Sequence, residues 1–277
     1  MKTRIISAVI MLAIFIPCLF LSDTVVFDIF ISLLSLAAVF EMLGCIKYRK
    51  VLSVAVPSYI IALILPLCVR LINTGLALSE LMLLVFTVYL LFMLSVSVFS
   101  HRKHSPQDVS IAYVMIFYII LGFSSILAIR NAANGQYIFL LIFIAAWISD
   151  TGAYFTGVFF GKRKLIPDVS PKKTVEGAIG GLVCCVVFFL IYGLIMQFAF
   201  KLQPHYILLA FLGLILSLVS MCGDLIASLI KRHYRIKDYG NLIPGHGGIM
   251  DRFDSIIAVA SVMYVLLNIP FIGQKLF

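Results

Sequence analysis

The sequence predicts an all-α, polytopic integral membrane protein with about nine transmembrane helices, on three observations. Of 277 residues, 63% are hydrophobic and 12% charged, with a mean hydropathy of +1.15, about half the charge of a soluble domain. Nine apolar stretches approach the roughly 20 residues needed to cross a hydrocarbon core about 30 Å thick. The 21 Lys and Arg divide 17 to 4 between alternate connecting segments, as short loops require under the positive-inside rule. A water-soluble fold, a disordered chain, a disulfide-stapled module and a collagen-like fibre all fail on this composition.

In order, the expected spans are Ile5–Leu21, Val25–Ile46, Val51–Val69, Leu76–Phe99, Val109–Ile129, Tyr137–Phe160, Ala178–Phe200, Tyr206–Ile230 and Ser255–Ile272. They use 193 residues and leave 84, too few for a separate soluble domain. Strands are not expected, because barrel segments alternate with period two and these runs are apolar all round. The first run follows Lys2 and Arg4 but has no small-x-small cleavage site near Ser22, so it reads as an uncleaved helix. The six cysteines (Cys18, Cys45, Cys68, Cys184, Cys185, Cys222) lie in or beside apolar runs without C-x-x-C spacing and read as small hydrophobes.

The chain divides into residues 1–135, with five spans, and residues 136–277, with four spans and two charged loops, 161–177 and 231–254. The charge split places the N-terminus and both loops in the cytoplasm. With no targeting segment or extension expected, a bacterial inner (plasma) membrane is the expected location. The net charge of +9 is explained by this asymmetry and requires no nucleic-acid partner, while it favours anionic headgroups and anionic cytosolic substrates.

Polar residues are few in the first half. Asp28, Glu41 and Glu80 lie near the ends of apolar runs, where acids are expected to reach the interface. His101, His104 and Pro106 fall in a linker expected to be solvated. The second half differs: its two loops hold 15 charged residues among 41. Asp150 and Asp224 lie about 15 and 10 Å short of the cytoplasmic helix ends by helical rise, a costly depth unless they face a wet cavity, a cation or a partner. Asp224, Ser228 and Lys231, spaced i, i+4 and i+7, share one helix face.

Beyond Lys231-Arg232 come Lys237-Asp238, Gly240, Pro244-Gly245-His246-Gly247-Gly248 and Asp251-Arg252-Phe253-Asp254. Such glycine density lets backbone N–H groups approach an anion. Asp251 and Asp254 are spaced i, i+3 at a helix start, where the dipole favours carboxylates. Magnesium takes one or two carboxylates together with substrate phosphates and water. Asp224 and Asp251 are the leading ligands, with Asp254 either a third ligand or the partner of an arginine. In the earlier loop, Asp150-Thr151-Gly152-Ala153-Tyr154 is expected to interrupt the sixth span. Lys172 and Lys173 precede the seventh, beside a helix N-terminus suited to phosphate.

The run Ser228-x-Ile230-Lys231-Arg232-x4-Lys237-Asp238-x-Gly240-x2-Ile243-Pro244-x-His246-Gly247-Gly248-Ile249-x-Asp251-Arg252-Phe253-Asp254 resembles the signature of phosphatidate cytidylyltransferases, the CDP-diacylglycerol synthases. The segment Ser170-Pro171-Lys172-Lys173-Thr174-x-Glu176-Gly177 resembles a second landmark of that family. The resemblance is strong from about Asp150 to Ser255 and topological before that.

It implies that CTP and phosphatidic acid give CDP-diacylglycerol and pyrophosphate with Mg2+, that K+ accompanies the divalent ion, and that the chain forms a homodimer. It also implies Asp224 and Asp251 as metal ligands. Ser228, Lys231, Arg232, Lys237, His246, Gly247, Gly248 and Arg252 would surround the phosphates, with Lys172, Lys173 and Asp150 close by. Because the attacking phosphate is already largely ionised near neutral pH, no strong base is needed, and His246 is expected to orient rather than abstract a proton.

Two rivals remain at this stage. A CTP-dependent polyprenol-type lipid kinase would release CDP instead of pyrophosphate. A secondary transporter would place matched interrupted helices in both halves, whereas the polar features here occupy one half. A CDP-alcohol phosphatidyltransferase is disfavoured, because the D-G-x-x-A-R run and its later paired aspartates at spacing four are missing.

Overall fold

A computed structural model describes residues 2–72, 75–100, 105–273 and 275–276. His101, Arg102, Lys103 and His104 of the expected linker lie outside them. The helices are α1 (Lys2–Phe20), α2 (Val25–Cys45), α3 (Leu52–Val69), α4 (Gly75–Phe99), α5 (Pro106–Asn131), α6 (Gly135–Ile138), α7 (Leu140–Phe160), α8 (Val175–Phe200), α9 (Tyr206–His233), α10 (Met250–Leu267) and α11 (Pro270–Gly273). A short antiparallel hairpin, β1 (Lys164–Ile166) and β2 (Ser170–Thr174), stands between α7 and α8.

The chain is therefore all-α apart from one hairpin that the apolar-run reading did not anticipate. Among the described residues, seven stretches are long and apolar enough to cross a membrane: α2, α3, α4 from Leu78, α5, α6 with α7, α8 and α9. The expected first and ninth spans fall on α1, whose apolar run is Val9–Phe20, and on α10, which carries Asp251, Arg252 and Asp254 in its first five residues. All six cysteines are free, with Cys45 and Cys185 buried and Cys222 exposed.

Two compact units form, one from residues 1–131 and 234–253, the other from residues 132–233 and 254–277. Most of the 231–254 loop thus groups with the N-terminal helices, a partition that charge patterning along the chain did not suggest.

In the first unit α2 packs on α3 and α5, and α5 also on α3 and α4. The start of α5 is written locally. Pro106 occupies the first helical position, where its missing N–H costs nothing. Ser105 and Asp108 form a reciprocal cap, Asp108 N–H to Ser105 Oγ at 3.2 Å and Ser105 Oγ–H to Asp108 Oδ2 at 2.7 Å, a serine-to-acid variant of the capping box.

The ends of α2, α3 and α5 are tied by charge. Arg70 Nη1 donates to Asp28 Oδ2 at 2.8 Å, and Arg130 donates to Ser22 Oγ at 2.9 Å and to Asp23 Oδ1 at 3.3 Å. Asp28 does not reach out to an interface as expected; it is 2% exposed. An acid at that depth is stabilised by a cation brought to it from the next helix.

In the second unit α8 packs against α7 and α9, and α7 against α9. Asp150 to Tyr154 do not interrupt their span: α7 runs unbroken through them, and the break falls earlier, at Phe139 between α6 and α7. Gly152 serves packing instead. A Cβ there would stand 2.8 Å from Cys184 Cβ, and one at Gly181 would stand 2.6 Å from the Ser149 carbonyl oxygen. Small residues let membrane helices approach until their backbones nearly touch. Gly181→Val should therefore destabilise the protein by about 1–3 kcal/mol through overpacking, measured as a lowered melting temperature in detergent.

Candidate active site

The second unit brings three acids together. Ser149 on α7 donates to Ser220 on α9 at 3.0 Å, fixing the relative position of Asp150, the next residue on α7, and Asp224, one turn further along α9. Gly223 then lets α9 approach α10: a Cβ there would lie 2.7 Å from Ala258 Cβ and 3.0 Å from the Asp254 carbonyl oxygen. Consequently Asp224 interacts electrostatically with both Asp150 and Asp254. Ser255 donates to Asp254 Oδ1 from its amide at 2.7 Å and its hydroxyl at 3.1 Å.

Two lysines oppose these acids. Lys173 on β2 pairs with Asp224 Oδ2 at 2.5 Å and also acts on Asp150, while Lys231 acts on Asp254. The hairpin and the start of α8 hold Lys173 in place. Thr174 accepts the Gly177 N–H at 3.1 Å as the helix cap, and the Glu176 carboxylate accepts the N–H groups of Lys162 and Arg163 at 3.0–3.3 Å. Asp254 is 7% exposed, Asp224 retains 28% side-chain exposure and Asp150 is exposed, so the cluster runs from a buried acid to an accessible one. Ser228 follows Asp224 on the same face of α9, Lys172 is exposed on β2, and Arg232 Nε reaches the Val169 carbonyl at 3.5 Å.

Three carboxylates and two ammonium groups thus meet within the second unit. Hard oxygen donors of this kind suit Mg2+. Among the described residues no three His, Cys, Asp or Glu side chains stand close enough together to hold a metal ion by themselves.

The remaining expected residues lie in the first unit: Lys237, His246, Gly247, Gly248, Asp251 and Arg252. Here the 234–249 segment is bound chiefly to itself and to α1 and α2. Asp251 Oδ2 accepts the N–H groups of Tyr239 at 2.8 Å and Gly248 at 2.9 Å. Gly248 N–H, expected to meet a substrate anion, thus meets an internal carboxylate. Gly245 and Gly247 take φ of +79° and +85°, which glycine adopts without strain. His246 Nδ1 lies 2.7 Å from Ser7 Oγ, and its carbonyl accepts Arg252 Nε at 3.0 Å. This anchors the imidazole to α1. Lys237 is exposed.

Glu41 is the residue that reading along the chain undervalued. It lies on α2, 4% exposed, and accepts Ile249 N–H at 3.0 Å on Oε1 and Met250 N–H at 2.9 Å on Oε2. It therefore caps the start of α10 from more than 200 positions earlier, rather than reaching an interface. Gly240 and Gly248 both press against its carboxylate, where any Cβ would collide. Its only signal in the sequence was a carboxylate inside an apolar run, which is expensive without a partner.

Comparison with known proteins gives a consistent result. Residues 2–270 match the model of the Cytidylyltransferase family. The chain is 36% identical over 267 residues to the phosphatidate cytidylyltransferase of Staphylococcus haemolyticus (strain JCSC1435), covering 96% of this chain and 99% of that protein. It is 35% identical over 269 residues to the protein so named from Staphylococcus saprophyticus, again with 96% and 99% coverage. The corresponding protein of Staphylococcus aureus (strain COL) is 36% identical over 267 residues, with the same coverage. With nearly the whole length matched both by the family model and by these relatives, the chain belongs to the cytidylyltransferase family.

Proposed function

We propose that this protein is a membrane-embedded enzyme that transfers the cytidylyl group of CTP to phosphatidic acid, giving CDP-diacylglycerol and pyrophosphate. The observation that carries the reading is the convergence of Asp150, Asp224 and Asp254 with Lys173 and Lys231, in a chain matched over 96% of its length by proteins named for that reaction. A phosphatidate oxygen attacks the α-phosphorus of CTP in line with departing pyrophosphate. Because the phosphate oxygens carry the charge already, the enzyme's contribution is positioning and neutralisation. Lys173 and Lys231 attract the anionic substrates, and Lys172 and Arg232 extend the positive field toward solvent.

Asp224 and Asp254 would hold Mg2+, which would supply charge neutralisation and orientation at the triphosphate. The roles of Asp251 as a further ligand and of Ser228, Lys237, His246, Gly247 and Arg252 around the phosphates are supported by the family resemblance of the signature. The same resemblance supports a K+ ion and a homodimer. The 17 to 4 division of Lys and Arg supports a cytoplasmic N-terminus and active site in a bacterial plasma membrane.

Mass analysis of lipids after incubation of purified protein with phosphatidic acid, CTP and Mg2+ tests the reaction. The expected products are CDP-diacylglycerol and one pyrophosphate per turnover, both lost on chelation of the divalent ion. Release of CDP with a newly phosphorylated lipid would establish the kinase reading instead. Transport of an unchanged lipid into proteoliposomes would establish the transporter.

A further inference from the structure

The first unit contains a cavity of about 860 Å³ whose lining includes Leu33, Leu36, Ala37, Phe40 and the largely buried Glu41 of α2, Tyr59 of α3 and Arg49 between them, closed on one side by residues 239–242. The four apolar α2 positions follow i, i+3, i+4, i+7 and form one continuous apolar stripe. Its two ends are open, Leu33 being 51% and Phe40 45% exposed, while Leu36 and Ala37 between them are half-buried. Because α2 is long and apolar enough to span a membrane, such a stripe faces acyl chains.

Its C-terminal end is marked by charge. The Arg49 guanidinium lies 3.8 Å over the Phe40 ring and gives Nε and Nη2 to the Phe40 carbonyl at 3.3 and 3.1 Å. That engages two of its five N–H donors. Tyr59, on the same wall, buries a hydroxyl with no hydrogen-bond partner among the described residues. An apolar trough ending at a guanidinium is complementary to an amphiphile with an anionic head.

We propose that this cavity holds one anionic diacyl glycerophospholipid, its acyl chain along the α2 stripe and its phosphate on Arg49, and that the bound lipid braces the 239–242 segment. The brace follows from the lining. Tyr239 N–H donates to Asp251, and Gly240 rests on the Glu41 carboxylate that caps α10. A lipid packed against residues 239–242 therefore stiffens the loop on which Asp251 depends. The proposal is independent of the reaction assigned above, since it asks for retention of a lipid and not for its turnover.

The test uses the full-length protein in detergent, titrated with phosphatidylglycerol or with phosphatidylcholine of the same chains. Native mass spectrometry reads lipid retention, and hydrogen exchange reads residues 239–242. The wild type should retain phosphatidylglycerol preferentially and exchange more slowly in that segment when it is bound. Arg49→Gln should lower retention about tenfold, the value of a charged hydrogen bond or two, and Arg49→Lys should restore most of it. Leu36→Trp, which fills the trough and leaves Arg49 in place, should abolish retention with an unchanged elution profile and melting temperature.

Equal retention by the wild type, Arg49→Gln and Leu36→Trp would overturn the site, as would no preference over phosphatidylcholine. Slowed exchange with inorganic phosphate alone would overturn the lipid in favour of a free anion. A change of oligomeric state in Leu36→Trp would overturn it in favour of a second copy of the chain.

Discussion

Asp224→Asn is expected to lower CTP-dependent turnover at saturating Mg2+ by at least about a hundredfold, the scale of losing one charge-stabilising group from an active site, while the protein remains folded. Asp224 is the hub of the acid cluster, since it pairs with Lys173 at 2.5 Å and interacts with both Asp150 and Asp254. It is also part-exposed at 28%, so the isosteric amide disturbs packing little. Steady-state kinetics alongside thermal melting in detergent separates the two effects. Lys173→Met removes the partner instead and should raise KM for CTP or the lipid as well as lower kcat. If Asp224 served only to hold Lys173, the double variant would be no worse than either single one, because the pair would already be broken. Full activity of Asp224→Asn would remove the carboxylate from the proposed metal site altogether.

Glu41→Ala should have the largest structural effect of any single substitution considered, a loss of about 2–4 kcal/mol. The carboxylate accepts two backbone N–H groups at 2.9–3.0 Å while nearly fully buried, and its deletion strands both donors. Glu41→Gln, which keeps one acceptor oxygen, should recover part of the loss. Hydrogen exchange at Ile249 and Met250 is the specific readout: faster exchange there marks release of the α10 cap, whereas a general fall in protection marks global destabilisation. Turnover should fall with it, since Asp251 and Asp254 stand in the first two turns of that helix. Unchanged exchange at both amides would refute the capping role.

These two residues show how unevenly the site was legible. Asp224 was found along the chain because its position carries its own argument: a carboxylate two turns inside an apolar helix, with Ser228 and Lys231 on the same face, needs compensation. Lys173 was visible only as one of a basic pair before a helix, a pattern shared with ordinary positive-inside loops. Its pairing with Asp224 depends on the hairpin, which apolar periodicity does not report. Glu41 gave the same local signal as Asp28, an acid near the end of an apolar run. One caps a helix and the other pairs with Arg70, and nothing within a few residues of either distinguishes them. The run from Asp150 to Tyr154 had been expected to interrupt its span, and its Gly152 lowers helix propensity. Close packing on α8 outweighs that cost.

By itself the sequence determined the membrane class, the approximate positions of the spans, the concentration of chemistry in the second half and the family signature, because each is a property of composition, period or fixed spacing. Only the tertiary structure decided which acid meets which cation, that the glycine-rich segment groups with the N-terminal helices, and that its Gly248 amide is spent on Asp251. The reason is that such partnerships join residues tens to hundreds of positions apart. They are settled by how closely small side chains let helices approach and by the need of every buried charge and N–H for a partner, neither of which local sequence encodes.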